Sequence, residues 1–248
     1  MRTPTPTDAS CALPELASCR RCPRLSAHLA DIRTRYPDYH AAPVASFGDP
    51  AARLLVVGLA PGLQGANRTG RPFTGDHAGL LLFQTLFDYG FSNQPTGLDP
   101  ADGLLLKDCR ITNAVRCLPP GNKPLPQEVR MCQGYLQQEL QGPSRATVVL
   151  ALGRIAHQAL LQAWSLRPGD YPFSHGACHA LSGGGWLLAS YHCSRYNTQT
   201  RRLTPAMFQA VVGRARQLLD QPVLASSAQT VLPVQPEGCV SGSPRMDQ

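Results

Sequence analysis

The chain is 248 residues long, which suits one α/β domain with appended tails and is ample for a hydrophobic core. Lysine and arginine total 23 against 16 aspartates and glutamates, and the net charge of +7 fits either a polyanionic partner such as phosphate or a merely basic soluble protein. The sequence has no secretory signal and no apolar run long enough to span a bilayer, so we expect a cytoplasmic protein without membrane contacts.

The two ends of the chain differ in composition from its middle. Residues 1–14 are rich in proline and threonine and are predicted to be a disordered N-terminal segment. Residues 221–248 mix proline, serine, glycine and glutamine without periodicity and are predicted to be a disordered tail. The folded domain is therefore expected to span residues 15–220.

Apolar runs alternate with helical patterns through this domain. Four runs predict buried parallel strands at 53–58, 109–114, 146–152 and 186–191. Helical patterns occur at 77–89, 126–140, 153–164 and 205–219. The last helix begins with Thr204 as a predicted N-cap and Pro205 at its first position. The alternation predicts an α/β fold, a doubly wound sheet with helices on both faces.

Polar loops follow the first and the last of these strands. They are Gly58-Leu59-Ala60-Pro61-Gly62 and the segment His192–Asn197. Open α/β sheets bind their ligands in a crevice at the carboxyl ends of the strands, where such loops meet. The pattern therefore favours an enzyme over a scaffold.

Four of the nine cysteines have a spacing that suggests ligation. Cys19 and Cys22 precede the first strand, Cys117 follows the second, and Cys132 lies fifteen positions further on, in a predicted helix. Such thiolates hold zinc or an iron–sulfur cluster, and ordinary buried thiols are the alternative to both. The remaining cysteines have no such pairing: Cys11, Cys109, Cys178, Cys193 and Cys239.

The glycine-rich run that ends at Asp76 contains several candidate ligand contacts. Arg68 and Arg71 are available for phosphate. Phe73 is either a stacking platform for a flat ligand or a loop side chain packed on the core. Asp76 is either the N-cap of the next helix or a catalytic carboxylate.

Further candidates follow the second and last strands. Asn113 either reads a nucleobase edge through its amide or is a turn residue. The place of His192 in a polar loop favours a functional role over a structural one. The segment Ser194–Arg202 is dense in phosphate donors with one aromatic residue among them, a composition that suits a nucleic-acid backbone or, alternatively, a solvated loop.

Together these motifs resemble the uracil-DNA glycosylase superfamily, and most closely its family five. The sister family four carries a glutamate where this chain has Leu59, which favours family five. Cys193 departs from the proline or valine that other members often carry, and is expected to alter loop stiffness more than chemistry. The segments that carry the resemblance are Gly58–Gly62, Asn67–Asp76, Ile111–Cys117 and His192–Thr200.

The resemblance implies a three-layer α/β/α fold with a central four-stranded parallel sheet. It also implies a structural [4Fe–4S] cluster on Cys19, Cys22, Cys117 and Cys132. The implied activity is hydrolysis of the N-glycosidic bond of a damaged base in DNA, the first step of base excision repair. We then expect a monomer associated with the nucleoid through double-stranded DNA, with single-stranded DNA as a further substrate left open.

The same resemblance assigns roles to individual residues. Asp76 and His192 are the expected catalytic residues, and His192 donates to the O2 atom of the base together with backbone N–H groups of the loop from Gly58. Phe73 stacks on the flipped base and Asn113 reads its Watson–Crick edge. The residues expected to contact DNA are Arg68, Arg71, Ser194, Arg195, Asn197 and Arg201.

Two small residues predict broad specificity. Ala60 stands where the classical uracil enzymes have a water-positioning aspartate, which leaves Asp76 as the best remaining carboxylate. Gly62 stands where those enzymes have a tyrosine that blocks thymine. The resulting room predicts excision of uracil, of hydroxymethyl- or etheno-modified pyrimidines, and of deaminated purines such as hypoxanthine.

Two other functions compete with this interpretation. The missing carboxylate at Ala60 fits a lesion-binding protein of the same fold with little or no catalytic activity. A nucleotide-binding α/β enzyme acting on a small phosphorylated ligand is disfavoured, because the sequence has neither a G-x-x-x-x-G-K-[S/T] loop nor a G-x-G-x-x-G turn.

Overall fold

The computed structural model describes residues 15–141 and 146–221. The predicted disordered segment at 1–14 lies outside these residues, and so does the predicted tail at 221–248 except for Gln221, which follows the last helix. In the described ranges, no helix combines the length and the apolar character needed to cross a membrane.

The described residues form a six-stranded sheet. In chain order its strands are β1 (Phe47–Gly48), β2 (Leu54–Gly58), β3 (Cys109–Asn113), β4 (Val148–Leu152), β5 (Cys178–Ala180) and β6 (Trp186–Ser190). Across the sheet the order is β1-β3-β2-β4-β6-β5. The four inner strands are parallel neighbours and lie within the four predicted apolar runs.

The sheet is larger than the four-stranded, wholly parallel sheet that the resemblance implies. β1 pairs antiparallel with β3 at one edge, and β5 pairs antiparallel with β6 at the other. These edge strands have only two and three residues, none of them fully buried, so they carry no apolar run. Hydrophobic patterning therefore does not reveal them.

The α-helices of the described part are α1 (Pro23–Arg35), α2 (Ala66–Thr69), α3 (His77–Asp88), α4 (Pro126–Gln141), α5 (Arg154–Ala163), α6 (Arg195–Gln199) and α7 (Pro205–Asp220). The helices α3, α4, α5 and α7 occupy the predicted positions, whereas α1, α2 and α6 were not predicted. The predicted start of α7 is confirmed, because the Thr204 hydroxyl accepts a hydrogen bond from the Met207 amide at 3.2 Å.

Helices cover both faces of the sheet, which confirms the α/β class. Successive strand residues point to opposite faces, so Val56 packs with α3 and α7 whereas Leu55 packs with α1, α4 and α5. Every residue of β2 and β4 is buried, as expected for central parallel strands between two helical layers.

The parallel strands end at one edge of the sheet. Gly58 and Asn113, the last residues of β2 and β3, lie opposite each other in register. The loops that follow β2, β3 and β6 therefore meet over this edge, where the sequence predicts a crevice.

Candidate active site

A cavity of about 440 Å³ opens at the carboxyl edge of the sheet. Its walls come from the loop after β2, the end of β3, the N-terminus of α3 and the loop after β6. This volume lies in the usual range of small-molecule sites and has room for a nucleobase. The sequence-predicted residues that line it are Ala60, Gly62, Phe73, Asp76, Asn113, His192, Ser194 and Arg195.

Asp76 caps α3 and still presents one oxygen to the cavity. Its Oδ1 accepts hydrogen bonds from the amides of Ala78 at 2.8 Å and Gly79 at 3.2 Å. Its Oδ2 accepts none from the described residues and lies toward Gly62 of the first loop. Burial raises the pKa of this carboxyl above its ordinary value, and the two amide N–H groups oppose the rise. One carboxyl oxygen is thus available to a ligand or a water molecule.

The Phe73 ring forms an aromatic wall of the cavity and also packs against the hydrophobic core. Its ring lies nearly parallel to the His192 imidazole, with centroids 5.9 Å apart and planes at 25°. Gly58 makes room for it, since a Cβ there would lie 2.7 Å from Phe73 Cζ and would also overlap the Asn113 amide oxygen. The backbone φ of Phe73 is +60°, which costs on the order of 1–3 kcal/mol and is held by this packing.

Two polar side chains of the cavity have no hydrogen-bond partner among the described residues. Asn113 is only 4% exposed, yet nothing there bonds to its amide. The ring nitrogens of His192 are equally unpartnered, and burial lowers the pKa of His192 to about 4. The imidazole is therefore neutral at pH 7 and keeps one N–H donor. Both side chains line the cavity with hydrogen-bonding groups that the described residues leave unused.

Small residues keep the loop after β2 open. Ala60 contributes only a methyl group to the cavity wall. A Cβ at Gly62 would lie 3.7 Å from Asp76 Oδ2, so this position borders empty space that a side chain would enter. Gly65 is different, because a Cβ there would lie 2.5 Å from the Asp76 side chain. Gly62 thus adds no side chain to the cavity wall.

The predicted DNA donors after β6 fall into two groups. The Ser194 hydroxyl caps α6 by accepting from the Asn197 amide at 3.4 Å, and Asn197 Nδ2 donates to the His192 carbonyl oxygen at 2.8 Å. These bonds fix the loop that carries His192. Arg195 and Arg201 are exposed, and no carboxylate of the described residues pairs with them.

Arg71 is not available for phosphate, in contrast to the prediction. Its guanidinium is buried and forms a salt bridge to Asp102 at 2.8 Å. It also donates to Thr74 Oγ1 at 2.6 Å and to the Asp99 carbonyl oxygen at 2.7 Å. Arg71 therefore stabilises the loop from within. Arg68 is half-buried and bonds to a backbone carbonyl through Nε at 2.8 Å, which leaves its terminal nitrogens free.

Five lining residues were not predicted as site residues, and two of these, Asn122 and His77, have polar side chains. Asn122 reaches the cavity from the proline- and glycine-rich segment between Cys117 and Cys132. His77 lies beside Asp76, and its Nε2 is 3.1 Å from Thr198 Oγ1 of α6, so it ties two walls together. The sequence could have indicated His77, because it directly follows the motif that ends at Asp76. No local pattern places the long loop of Asn122 over the sheet.

The four cysteines with ligand spacing meet at a second, smaller cavity. Cys19, Cys22, Cys117 and Cys132 all line it as free thiols. Burial, together with the charges of neighbouring thiolates, raises the pKa of Cys22 to about 11 and that of Cys117 to about 12. The Arg116 amide donates to Cys132 Sγ at 3.3 Å, a bond that favours a thiolate. Among residues 15–141 and 146–221, no three His, Cys, Asp or Glu side chains are arranged to hold one metal ion.

Comparison with known proteins identifies the family. A sequence profile of the Uracil DNA glycosylase superfamily matches residues 45–216. The chain is 50% identical to the Type-5 uracil-DNA glycosylase of Thermus thermophilus, over 82% of this chain and 94% of the relative. It is 41% identical to the Type-5 uracil-DNA glycosylase of Mycobacterium leprae, over 82% and 93% of the two chains. The protein of the same name from Pyrobaculum aerophilum is also 41% identical, over 81% and 88%. The chain therefore belongs to the uracil-DNA glycosylase superfamily and, within it, to the type 5 family.

Proposed function

We propose that this protein hydrolyses the N-glycosidic bond between uracil and deoxyribose in DNA and leaves an abasic site. The observation that carries the proposal is the single cavity shared by an aromatic wall, an unpartnered amide, a neutral imidazole and a free carboxyl oxygen. The relatives are named for uracil-DNA glycosylase activity, which fits the same chemistry.

Binding requires that the base leave the duplex. A stacked base is out of reach of the cavity, so the nucleotide must be flipped out of the helix. Phe73 then stacks on the flipped base, and the free amide of Asn113 bonds to its Watson–Crick edge. The bound base gives these buried groups the partners that they lack in the free protein.

Bond cleavage places negative charge on the base and positive charge on the sugar. The neutral His192 ring donates an N–H to the base oxygen O2, together with backbone N–H groups of the loop from Gly58. Asp76 Oδ2 orients the attacking water and stabilises the charge on the sugar. Oδ1 stays bound to the start of α3, which holds the carboxyl in place.

We further propose a specificity broader than uracil. The open position at Gly62 and the methyl group of Ala60 leave the cavity without a side chain that would reject larger bases. Hydroxymethyl- and etheno-modified pyrimidines and hypoxanthine are the expected additional substrates. Binding through the deoxyribose backbone of one strand suits double-stranded DNA and leaves single-stranded DNA as a second substrate.

We also propose that Cys19, Cys22, Cys117 and Cys132 hold a [4Fe–4S] cluster. Support comes from the shared cavity, the free thiols and the amide of Arg116 that bonds to Cys132. Each thiolate of such a cluster binds a different iron, so the ligands lie farther apart than those of one ion. The bound cluster supplies positive charge to the buried thiolates and joins the segment before α1 to α4.

The activity is tested with duplexes that carry one lesion opposite each normal base, by alkaline cleavage of the abasic sites formed. Excision of uracil supports the proposal, and excision of hypoxanthine supports the broad specificity. Tight binding of the lesion without abasic sites favours instead a lesion-binding protein of the same fold.

The cluster is tested on protein purified without oxygen. Iron, acid-labile sulfide and visible thiolate-to-iron absorption are expected, and Cys22→Ser is expected to lose them. Cys178→Ser changes a half-buried cysteine outside the proposed ligand set and should keep them. Bound zinc without the visible absorption would contradict the proposal.

A further inference from the structure

Two exposed arginines and two aromatic rings form a continuous row beside the cavity. The Arg154 guanidinium carbon lies 5.7 Å from the centroid of the Phe173 ring. The Phe173 and Tyr191 centroids are 6.3 Å apart, and the Arg202 guanidinium carbon lies 4.6 Å from the Tyr191 centroid. We call Arg154, Phe173, Tyr191 and Arg202 the arginine ladder. None of these residues has a role in the mechanism above.

The arginine ladder lies at the same edge of the sheet as the cavity. Arg154 begins α5 directly after Gly153, where a Cβ would lie 3.5 Å from the Cβ of His192. Tyr191 immediately precedes His192, and its amide donates to Nδ1 of His175 at 3.2 Å. The ladder therefore borders the mouth of the cavity on the side of β5 and β6.

Both arginines of the ladder have free hydrogen-bonding edges. They are exposed, and no carboxylate in the described part of the chain pairs with either. At the opposite edge of the sheet, in contrast, Arg53 and Arg216 both pair with Asp108. A guanidinium that is held by a ring but keeps its N–H edge free is preorganised for a planar or tetrahedral oxyanion.

The rings of the ladder are better placed to hold arginines than to stack on bases. His175 stacks on Tyr191 with centroids 5.2 Å apart and planes at 27°, and Arg202 covers the same ring. These contacts leave Tyr191 little free face for a base. The chemistry that the ladder offers is therefore two guanidinium groups, and its ligand is phosphate.

We propose that the arginine ladder binds the phosphodiester backbone of the damaged strand, to one side of the flipped nucleotide. The inference rests on the proposed function, because it takes DNA as the substrate. The strand that delivers a base into the cavity must cross this edge of the sheet, and the ladder lies at the same edge, next to His192. Such contacts position the strand without reading its sequence, which suits an enzyme that removes lesions in any sequence context.

The test is the salt dependence of binding to a duplex carrying 2′-fluoro-2′-deoxyuridine. The fluorine destabilises positive charge on the sugar, so this nucleotide resists excision. Each phosphate contact contributes about 0.9 to the slope of log K against log salt concentration. Arg154→Gln and Arg202→Gln should therefore each lower the slope by about 0.9, and the double variant by about 1.8.

Arg214→Gln is the matched control, because it removes the same charge from an exposed arginine on α7. It should leave the slope unchanged. If the double variant gives the same slope as Arg214→Gln, the ladder does not bind the backbone. Wild-type protein that forms no abasic sites at uracil would instead refute the proposed function, so the two failures are distinguishable.

A second measurement locates the contact. Duplexes truncated close to the lesion, on one side or on the other, are compared for affinity. One of the two truncations should weaken binding by wild-type protein but not by the double variant, since that variant already lacks the contact. Equal losses for both proteins at both truncations would overturn the proposal.

Discussion

The cavity and the loop of Arg71 are neighbours that share the motif Asn67–Asp76, yet their polar side chains differ in hydrogen bonding. In the cavity, Asn113 is buried and His192 is half-buried, and neither side chain has a hydrogen-bond partner in the described residues. In the loop, Arg71 is buried and bonds to Asp102, to Thr74 and to the carbonyl oxygens of Asp99 and Pro100. The Arg71 side chain is thus held by the fold, whereas the two cavity side chains have hydrogen-bonding groups that a ligand can reach.

The cavity and the Arg71 loop also differ in the pKa values of their titratable side chains. Burial without a charged partner lowers the pKa of His192 to about 4 and raises that of Asp76, so both shift toward the neutral form. Burial would also raise the pKa of Asp102, but hydrogen bonds from Arg71 and from backbone amides lower it to about 2. Asp76, which is buried without a basic hydrogen-bond partner, and Asp102, which pairs with Arg71, therefore have pKa shifts of opposite sign.

The largest expected effect on stability comes from the Arg71 loop. Arg71→Leu leaves Asp102 partly buried without its partner, and we expect a loss of about 3 kcal/mol or more in the free energy of unfolding, measured in urea. The folded fraction should excise uracil at nearly the wild-type rate. Arg35→Leu is the control, because it breaks the exposed pair with Asp31 and should cost under about 1 kcal/mol. Equal losses of unfolding free energy in Arg71→Leu and Arg35→Leu would show that the buried Arg71 pair does not stabilise the loop more than an exposed pair does.

The largest expected effect of a cavity donor on rate comes from His192. His192→Leu removes the donor to O2, and we expect the single-turnover excision rate to fall about 10²- to 10³-fold. His192→Gln keeps an N–H and should lose less. An unchanged rate in the leucine variant would show that the base oxygen is stabilised elsewhere.

The pH dependence of excision should follow Asp76 rather than His192. Because burial raises the pKa of Asp76, the rate should fall about tenfold per pH unit below a value higher than that of an ordinary aspartate. Because His192 is already neutral above about pH 4, no loss is expected near 6.5. A fall in the excision rate near pH 6.5 that is present in wild-type protein and absent in His192→Gln would show that His192 titrates there.

The pH dependence of the stability of the folded state should include a contribution from His192, alongside that of His157, whose pKa burial also lowers to about 4. Between pH 6.5 and about 4 the unfolded state protonates His192 while the folded state keeps it neutral, so stability decreases as pH falls through this window. His192→Gln should therefore show a shallower decrease than wild-type protein in urea unfolding. An identical pH dependence would show that His192 does not titrate as described.

A smaller effect is expected from narrowing the cavity. A Cβ at Gly62 would make one ordinary contact, with Asp76 Oδ2 at 3.7 Å, so Gly62→Tyr places a ring in the cavity. This variant should lower excision of hypoxanthine relative to uracil by about 10-fold or more. Gly62→Ala adds a single methyl group and serves as the control. An unchanged ratio of the two rates in the tyrosine variant would mean that Gly62 does not set the width.

The sequence predicted the long, strongly patterned elements and missed those with little pattern. The apolar run at 53–58 contains β2, whereas the two-residue β1 has no hydrophobic period to detect. The start of α7 was predicted because Thr204 and Pro205 act locally. Short helices such as α6 are fixed by contacts of a loop with the rest of the fold, which local propensity does not contain.

For the candidate site, too, the sequence identified residues in local motifs and missed those placed by long-range contacts. Asp76 and His192 were found because each follows a recognisable motif, and the structure brings both to one cavity. Arg71 was assigned to phosphate because its partner Asp102 lies 31 positions away and no local pattern links the two. Asn122 was missed because a long loop carries it over the sheet. Long-range placement is the information that residue patterns lack.

The most direct test of the account is single-turnover excision of uracil by Asp76→Asn. Asparagine is as good an N-cap as aspartate, so α3 and the fold are retained, but its amide cannot act as a carboxylate toward water. We predict a rate about 10²- to 10⁴-fold lower, with unchanged unfolding free energy and unchanged binding of the 2′-fluoro duplex. A variant that excises uracil at nearly the wild-type rate would show that Asp76 only caps the helix and that the catalytic carboxylate lies elsewhere.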